Sequence, residues 1–238
     1  MILYEGPSML DGKPIVVIAT IGSENPKTGN MIQTWILKSD VVPFLATKDG
    51  SDYSICGDCP QRHFLSGSCY VQTFQGPRAV YEAYKRGNYS KKDHIKLATR
   101  ALVTTPIRIG AYGDPCAVPF EVWASLLAKG CGRHTGYTHQ WQRKDCDPRF
   151  KTIVMASCDS IADSEKARAN GWRYFLMVND KANMMLVKTV ECLSDSKDVT
   201  CEECGMCNGT IKNETAVSVA IMVHGARAKR FASMNVLR

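Results

Sequence analysis

The sequence predicts an α/β protein, built as a partial (β/α) barrel with an N-terminal β-hairpin and cysteine-rich metal-binding loops. Three observations support the α/β fold. Short apolar runs rich in β-branched residues recur along the chain, helical segments of about 10–15 residues alternate with them in the middle, and turn residues bound both. Because the repeating units are too few for an eight-stranded barrel, we expect a partial barrel within a single domain, residues 1–238.

The N-terminal part of the chain, residues 1–52, predicts the β-hairpin. The run PIVVIAT at 14–20 and the run MIQTWIL at 31–37 have the composition of buried strands. Residues 23–30 between them form a polar turn cluster that contains Pro and Gly. The two runs are therefore expected to pair as neighbouring strands.

The middle of the chain predicts βαβ units and a parallel sheet. The predicted strands are 106–111, 135–141, 152–157, 172–178 and 216–223. The predicted helices are 76–86, 119–129 and 160–170. Since active sites of parallel α/β folds gather at the carboxyl ends of the strands, polar side chains at those ends are the first candidates for function.

Composition and charge define the broad class of protein. Hydrophobic residues make up 45% of the chain and charged residues 22%, which argues against disorder. No apolar run reaches the ~18 residues of a membrane-spanning helix, and Met1 to Pro7 carries no secretory signal, so a cytoplasmic location is expected. The net charge of +7 suits a solvated lysine-rich surface and leaves a nucleic-acid or nucleotide partner open.

The strongest motif is a C-terminal cysteine segment at residues 190–210. Its cysteines are Cys192, Cys201, Cys204 and Cys207. The last three form the C-x2-C-x2-C core found in bacterial ferredoxins, and Gly205 and Gly209 permit the tight backbone that this core needs. Clustered cysteines in a reducing compartment hold metal more often than they form disulfides. We predict a [4Fe–4S] cluster here, with structural zinc and thiols without metal as the alternatives.

A second cluster of cysteines lies earlier in the chain, at Cys56, Cys59 and Cys69. Three thiolates would leave one iron of a [4Fe–4S] cluster open to a substrate or cofactor. His63 lies between these cysteines and could complete a zinc site instead. Buried thiols without metal are the third interpretation, and the isolated Cys116, Cys131, Cys146 and Cys158 are interpreted in this way.

Four residues are candidates for a substrate pocket: Asp114, Thr138, His139 and Trp141. Asp114 follows a predicted strand, and the other three end the predicted strand 135–141. Because side chains alternate along a strand, His139 and Trp141 should share one face, with His139 near Asp114 and facing the N-terminal cysteines. A turn aspartate and a structural histidine are the alternatives.

Several motifs in one order resemble a family of bacteriophage and prophage proteins of unknown function. They are ICGDCPQR at 55–62, CY at 69–70, GDP at 113–115, TGYTHQW at 135–141, AS at 156–157 and CEECGMC at 201–207. The resemblance spans most of the chain. It implies a phage-encoded protein in the host cell cytoplasm.

A more distant likeness is to radical S-adenosylmethionine enzymes. In that family three early cysteines of a partial barrel hold a [4Fe–4S] cluster whose fourth iron binds S-adenosylmethionine. Tyr70 beside Cys69 and the Gly113-Asp114-Pro115 turn resemble its aromatic residue and its Gly–Glu-type motif, whereas the spacing C-x2-C-x9-C departs from the family's C-x3-C-x2-C. The likeness implies an enzyme with a second, auxiliary cluster at the C-terminal cysteines and a nucleotide, nucleic acid or peptide substrate. The alternative is a non-enzymatic, metal-stabilised protein that binds nucleic acid or a protein.

Overall fold

The structure, a computed structural model, describes residues 1–23, 25–185, 187, 189–210 and 217–235. One nine-stranded sheet runs through the chain in the order β1-β2-β3-β4-β5-β6-β7-β9-β8. The strands are β1 (Ile2–Pro7), β2 (Pro14–Thr20), β3 (Ile32–Lys38), β4 (Ile107–Tyr112), β5 (His134–Thr138), β6 (Met155–Cys158), β7 (Tyr174–Val178), β8 (Thr189–Glu191) and β9 (Ser218–Met222).

Helices connect most of the strands. They are α1 (Pro43–Asp49), α2 (Tyr53–Cys56), α3 (Gly76–Lys85), α4 (Lys92–Leu102), α5 (Phe120–Lys129), α6 (Ile161–Ala169), α7 (Lys181–Met185), α8 (Leu193–Ser196), α9 (Cys201–Cys204) and α10 (Ala228–Asn235). The three predicted helices are confirmed as α3, α5 and α6. None of the helices in the described ranges is both long and apolar enough to cross a membrane.

The predicted hairpin is confirmed. β2 and β3 are antiparallel, with Ile15 opposite Lys38 and Thr20 opposite Gln33. β1 adds a third antiparallel strand at the edge of the sheet. The sequence did not reveal β1, because its residues are mostly only partly buried and show no continuous apolar run.

The mixed α/β class is also confirmed. From β3 onward each pair of neighbouring strands is parallel. The sheet is open, with β1 and β8 at its two edges, so the described strands do not close on one another. The carboxyl ends of β3 to β7 and β9 consequently lie along one edge of the sheet, which is called here the carboxyl edge.

Two predicted strand boundaries are wrong. The strand predicted at 135–141 ends at Thr138, and residues 140–142 form a 3-10 helix, because the backbone amide of His139 donates to Asp114 instead of to a neighbouring strand. The alternation argument for His139 and Trp141 therefore does not apply. Likewise, residues 148–152 are a 3-10 helix before β6. Ala216, the first residue of the last predicted strand, lies outside the described residues.

The two faces of the sheet carry different hydrophobic clusters. On one face, strand residues such as Ala156, Leu176 and Ala220 share a large core with helix residues such as Trp123 and Ala167. The intervening strand residues belong to a smaller cluster, whose members include Met155, Phe175, Val219 and Cys207. Because successive side chains of a strand point to opposite faces, the C-terminal cysteine segment packs on the face away from these helices.

Candidate metal centres

The N-terminal cysteine loop lies at the carboxyl edge of the parallel strands. Cys56 ends α2, and the carbonyl of Ile55 before it accepts the backbone N–H of Asp114, which follows β4. The side chain of Gln140, which follows β5, donates to the Cys56 carbonyl at 2.9 Å and accepts from the Asp58 N–H at 3.0 Å. These bonds fasten the cysteine loop to the ends of two neighbouring strands.

The structure brings the thiols of Cys56, Cys59 and Cys69 close enough to interact electrostatically with one another. Burial, with smaller contributions from neighbouring acidic groups, raises the pKa of Cys56 well above its usual value. Burial also raises the pKa of Cys69 to about 11. Both thiols are therefore protonated at neutral pH unless a cation stabilises the thiolates. Metal binding supplies such a cation and releases the protons.

A buried ion pair stabilises the conformation of the N-terminal cysteine loop. The Arg62 guanidinium binds the carboxylate of Asp52, which is 1% exposed, and also donates to the carbonyls of Gly50 and Gly57. Gly57 has φ of +53°, and a Cβ there would meet the Gln140 side chain at 2.3 Å. Glycine is thus required between the first two cysteines both by conformation and by space.

Two side chains at the carboxyl ends of neighbouring strands, Tyr112 of β4 and His139 directly after β5, lie beside the same cluster of thiols. The Tyr112 hydroxyl, at the end of β4, interacts electrostatically with Cys56 and Cys69, is buried and has no hydrogen-bond partner among the described residues. The His139 side chain interacts electrostatically with Cys59, and its Nε2 lies 3.3 Å from Oδ2 of Asp159. An unpaired buried hydroxyl is costly, so a polar group bound at the cysteines would give it a partner.

His139 lies beside the N-terminal cysteines and next to Asp114, as expected from the sequence. Burial by itself would lower the pKa of His139. The neighbouring Cys59 thiol and Asp159 carboxylate outweigh burial and raise this pKa well above its ordinary value. A protonated His139 would place a positive charge against thiolates in the same cluster.

Asp114 accepts four hydrogen bonds at the carboxyl edge. The donors are Thr138 Oγ1 at 2.7 Å, the backbone N–H groups of Cys116 at 3.0 Å and His139 at 2.8 Å, and Gln140 Nε2 at 3.3 Å. Burial raises the pKa of this carboxyl group, and the hydrogen bonds act in the opposite direction. Asp114 and Thr138 therefore join the ends of β4 and β5, and their contact with a substrate stays a prediction.

Replacing Asp114 with alanine is expected to lower the free energy of unfolding by about 3 kcal/mol or more, because several buried donors lose their acceptor. Denaturant unfolding at neutral pH measures the change. The matched control is Asp145→Ala, since the Asp145 side chain is 63% exposed and pairs with Arg143, so its loss should stay below about 1 kcal/mol. Equal decreases in the free energy of unfolding in the two variants would contradict the structural role of Asp114.

Two other candidates make backbone contacts. Trp141 is buried, and its indole N–H donates to the carbonyl of Ser157 at 2.8 Å. His63 Nε2 lies 2.9 Å from the carbonyl oxygen of Cys69, so this ring nitrogen is engaged with the backbone. A substrate role for Trp141 stays a prediction, and His63 would have to turn away from this carbonyl to bind zinc through Nε2.

The four C-terminal cysteines are also brought together. The Cys207 thiol interacts electrostatically with the other three, and burial, with the thiols as a smaller cause, raises its pKa to about 12. Thr200 and Glu203 form a capping box that begins α9. Gly205 and Gly209 have φ of +62° and +83°, as their predicted role in a tight backbone requires.

The C-terminal segment is fastened by contacts that span much of the chain. The backbone amides of Cys201 and Glu202 donate to the carbonyls of Lys27 and Thr28 in the loop between β2 and β3. On the other side, the Arg173 guanidinium donates to several loop carbonyls. They include those of Met206, Gly209 and Val217. No local sequence signal marks Lys27, Thr28 and Arg173 as partners, because they lie far from the C-terminal cysteines along the chain.

Arg108 of β4 links the two cysteine sites. Its guanidinium donates to the Tyr70 hydroxyl, next to Cys69, at 2.9 Å. It also interacts electrostatically with the Cys201 and Cys207 thiols. Burial acts to lower the pKa of Arg108, but these neighbours outweigh it and raise the pKa. A single cation thus faces groups from both cysteine segments, and sequence reasoning missed it.

Sequence reasoning also missed a pair among the isolated cysteines. The sulfur atoms of Cys116 and Cys146 lie 3.4 Å apart, both thiols are free, and Thr138 Oγ1 lies 3.3 Å from the Cys116 sulfur. The pair borders a cavity of about 230 Å³. Thirty residues separate the two cysteines along the chain, and that spacing carries no recognisable motif.

Within the described parts of the chain, no three His, Cys, Asp or Glu side chains are arranged to hold one metal ion. Thiolates around tetrahedral zinc lie roughly 3.8 Å apart, since each Zn–S bond is about 2.3 Å. A four-iron cluster is larger and takes one thiolate at each corner, so its ligands stand farther apart. Comparison with protein-family models, curated proteins and solved structures finds no significant match.

Proposed function

We propose that this chain is a bacteriophage-encoded iron–sulfur protein of the host cell cytoplasm, related in its chemistry to radical S-adenosylmethionine enzymes. Cys56, Cys59 and Cys69 bind a reactive [4Fe–4S] cluster. The four C-terminal cysteines bind a second cluster that stabilises the fold. The first cluster, when bound, supplies a redox-active iron with one position free of cysteine, which we assign to S-adenosylmethionine.

One observation carries the proposal: the cluster of Cys56, Cys59 and Cys69 at the carboxyl edge of the parallel strands. This edge is where ligands bind in parallel α/β folds. The Tyr112 hydroxyl beside the same thiols has no hydrogen-bond partner within the described ranges, which supports a polar ligand at that place.

The same proposal extends to the form of the sheet, which we describe as an open partial (β/α) barrel. β3 to β7 follow one another in sequence order, all parallel, with helices in three of the four connections. This is the arrangement of consecutive units in a (β/α) barrel. In such a barrel the carboxyl edge is the mouth, and His139, Asp159 and Tyr112 surround its cysteine loop.

Anaerobic purification followed by iron and sulfide reconstitution tests the proposal. The protein is expected to be brown, with broad visible absorbance and equal amounts of iron and sulfide. Addition of S-adenosylmethionine to the reduced protein should change its electron paramagnetic resonance spectrum. A colourless protein with stoichiometric zinc would overturn the iron–sulfur assignment. An unchanged spectrum would overturn the S-adenosylmethionine assignment and leave the iron–sulfur assignment intact.

A second candidate function is a non-enzymatic binding protein whose metals are structural. The backbone hydrogen bonds from Cys201 and Glu202 to Lys27 and Thr28 favour this function. They hold together segments that are distant along the chain, as a structural metal site does. The same purification discriminates between the two functions. Stoichiometric zinc at both cysteine sites, without a response to S-adenosylmethionine, supports the binding protein.

A further inference from the structure

An open groove of about 470 Å³ lies beside the N-terminal cysteine loop. Its walls come from four segments: the end of α1, the 3-10 turn at His63–Leu65, residues 72–74 and the start of the C-terminal region at Arg227. His63 joins the groove to the cysteine loop through its contact with the Cys69 carbonyl. The groove is called here the Phe64–Phe74 groove.

Two aromatic rings are exposed on the walls of this groove. Phe64 is 51% and Phe74 is 58% exposed, although phenylalanine is normally a core residue. The Phe64 ring is held in place, since a Cβ at Gly50 would meet three of its atoms at 3.0 Å and the Arg62 guanidinium lies 5.9 Å from its centre. A ring that is fixed yet open to solvent can stack on another flat group.

The charge of the groove is positive. Lys48 and Arg227 line it, and neither forms an ion pair within the described parts of the chain. No carboxylate is among the described residues that line the groove. Two cations therefore face the groove, and no counterion for them is found among the described residues.

We propose that the Phe64–Phe74 groove binds single-stranded nucleic acid. Proteins that bind single strands combine aromatic platforms, on which bases stack, with cations that follow the phosphates. Both features occur here in one groove, and the net charge of +7 complements a polyanion. Duplexes keep their base faces stacked inside, so the exposed rings favour a single strand.

This inference goes beyond the proposed function, because binding of the strand needs no metal. Bound strand would lie next to Cys69, at the edge of the cysteine loop. If the protein binds the strand equally well with and without iron, strand binding is independent of the cysteine sites. The groove proposal and the iron–sulfur proposal are then tested separately. Failure of one then leaves the other standing.

Fluorescence anisotropy with a labelled single strand of about 12 nucleotides, as DNA and as RNA, tests the proposal on the full chain. Phe74→Ala is expected to weaken binding roughly 5- to 150-fold, the effect of one lost base-stacking contact. Phe74→Trp should retain binding. Arg227→Gln should weaken binding and reduce the slope of log affinity against log salt by about 0.7.

Matched controls come from α4, which lies outside the groove. Leu97 is 56% exposed and Lys96 is exposed, so Leu97→Ala and Lys96→Gln should bind like the parent protein. Circular dichroism checks that each variant is folded. Three results would overturn the proposal: no binding at low salt, equal losses in the Phe74 and Leu97 variants, or tighter binding of a duplex or of single nucleotides than of the strand.

Discussion

Replacing Cys204 with alanine is expected to lower the free energy of unfolding by roughly 4 kcal/mol or more, with loss of the metal bound at the C-terminal site. The binding energy of a structural metal is folding energy, because the unfolded chain does not present the ligands together. Cys204 ends α9, and Gly205 after it has a left-handed conformation. This turn fixes the position of the Cys204 thiol. Anaerobic denaturant unfolding, with iron and zinc analysis, measures both effects.

Cys131→Ala is the matched control for Cys204. The Cys131 sulfur lies 3.9 Å from the carbonyl of Arg133, outside both cysteine clusters, so its replacement should change stability little. A second control uses metal-free protein, in which Cys204→Ala and the parent should have the same free energy of unfolding. If Cys204→Ala unfolds like the parent protein with unchanged metal content, the C-terminal site does not exist as proposed.

Replacing Cys59 with alanine is expected to abolish the spectral response to S-adenosylmethionine and to remove roughly half of the bound iron, one of two four-iron clusters. Cys56 and Cys69 alone would leave two irons without a protein thiolate. The fold should persist, because the large core and the C-terminal site do not include Cys59. Iron and sulfide analysis, together with electron paramagnetic resonance of the reduced protein, measures the result.

Cys204→Ala provides the opposite test for the N-terminal site. At a temperature where that variant is folded, it should retain the S-adenosylmethionine response that Cys59→Ala loses. Loss of the response in both variants, or in neither, would contradict the division into a reactive and a structural cluster. Cys131→Ala should retain both clusters.

Much of the fold could be predicted from local patterns. The runs at 14–20 and 174–178 are mostly apolar, so their burial in a sheet follows from composition. The end of β5 could not be predicted from local patterns. The backbone N–H of His139, directly after β5, donates to Asp114, and this contact exists only because β4 lies beside β5. The short edge strand β8 was also missed, since its three partly buried residues carry no strong signal.

The sequence by itself determined which cysteines group together, because each cluster lies within one short segment and spacing is a local property. Only the tertiary structure decided what surrounds them. Parallel pairing brings Tyr112 and His139 to the N-terminal thiols, and folding brings Lys48 to Arg227 across most of the chain. Such contacts are set by strand order and register, which no local pattern of residues encodes.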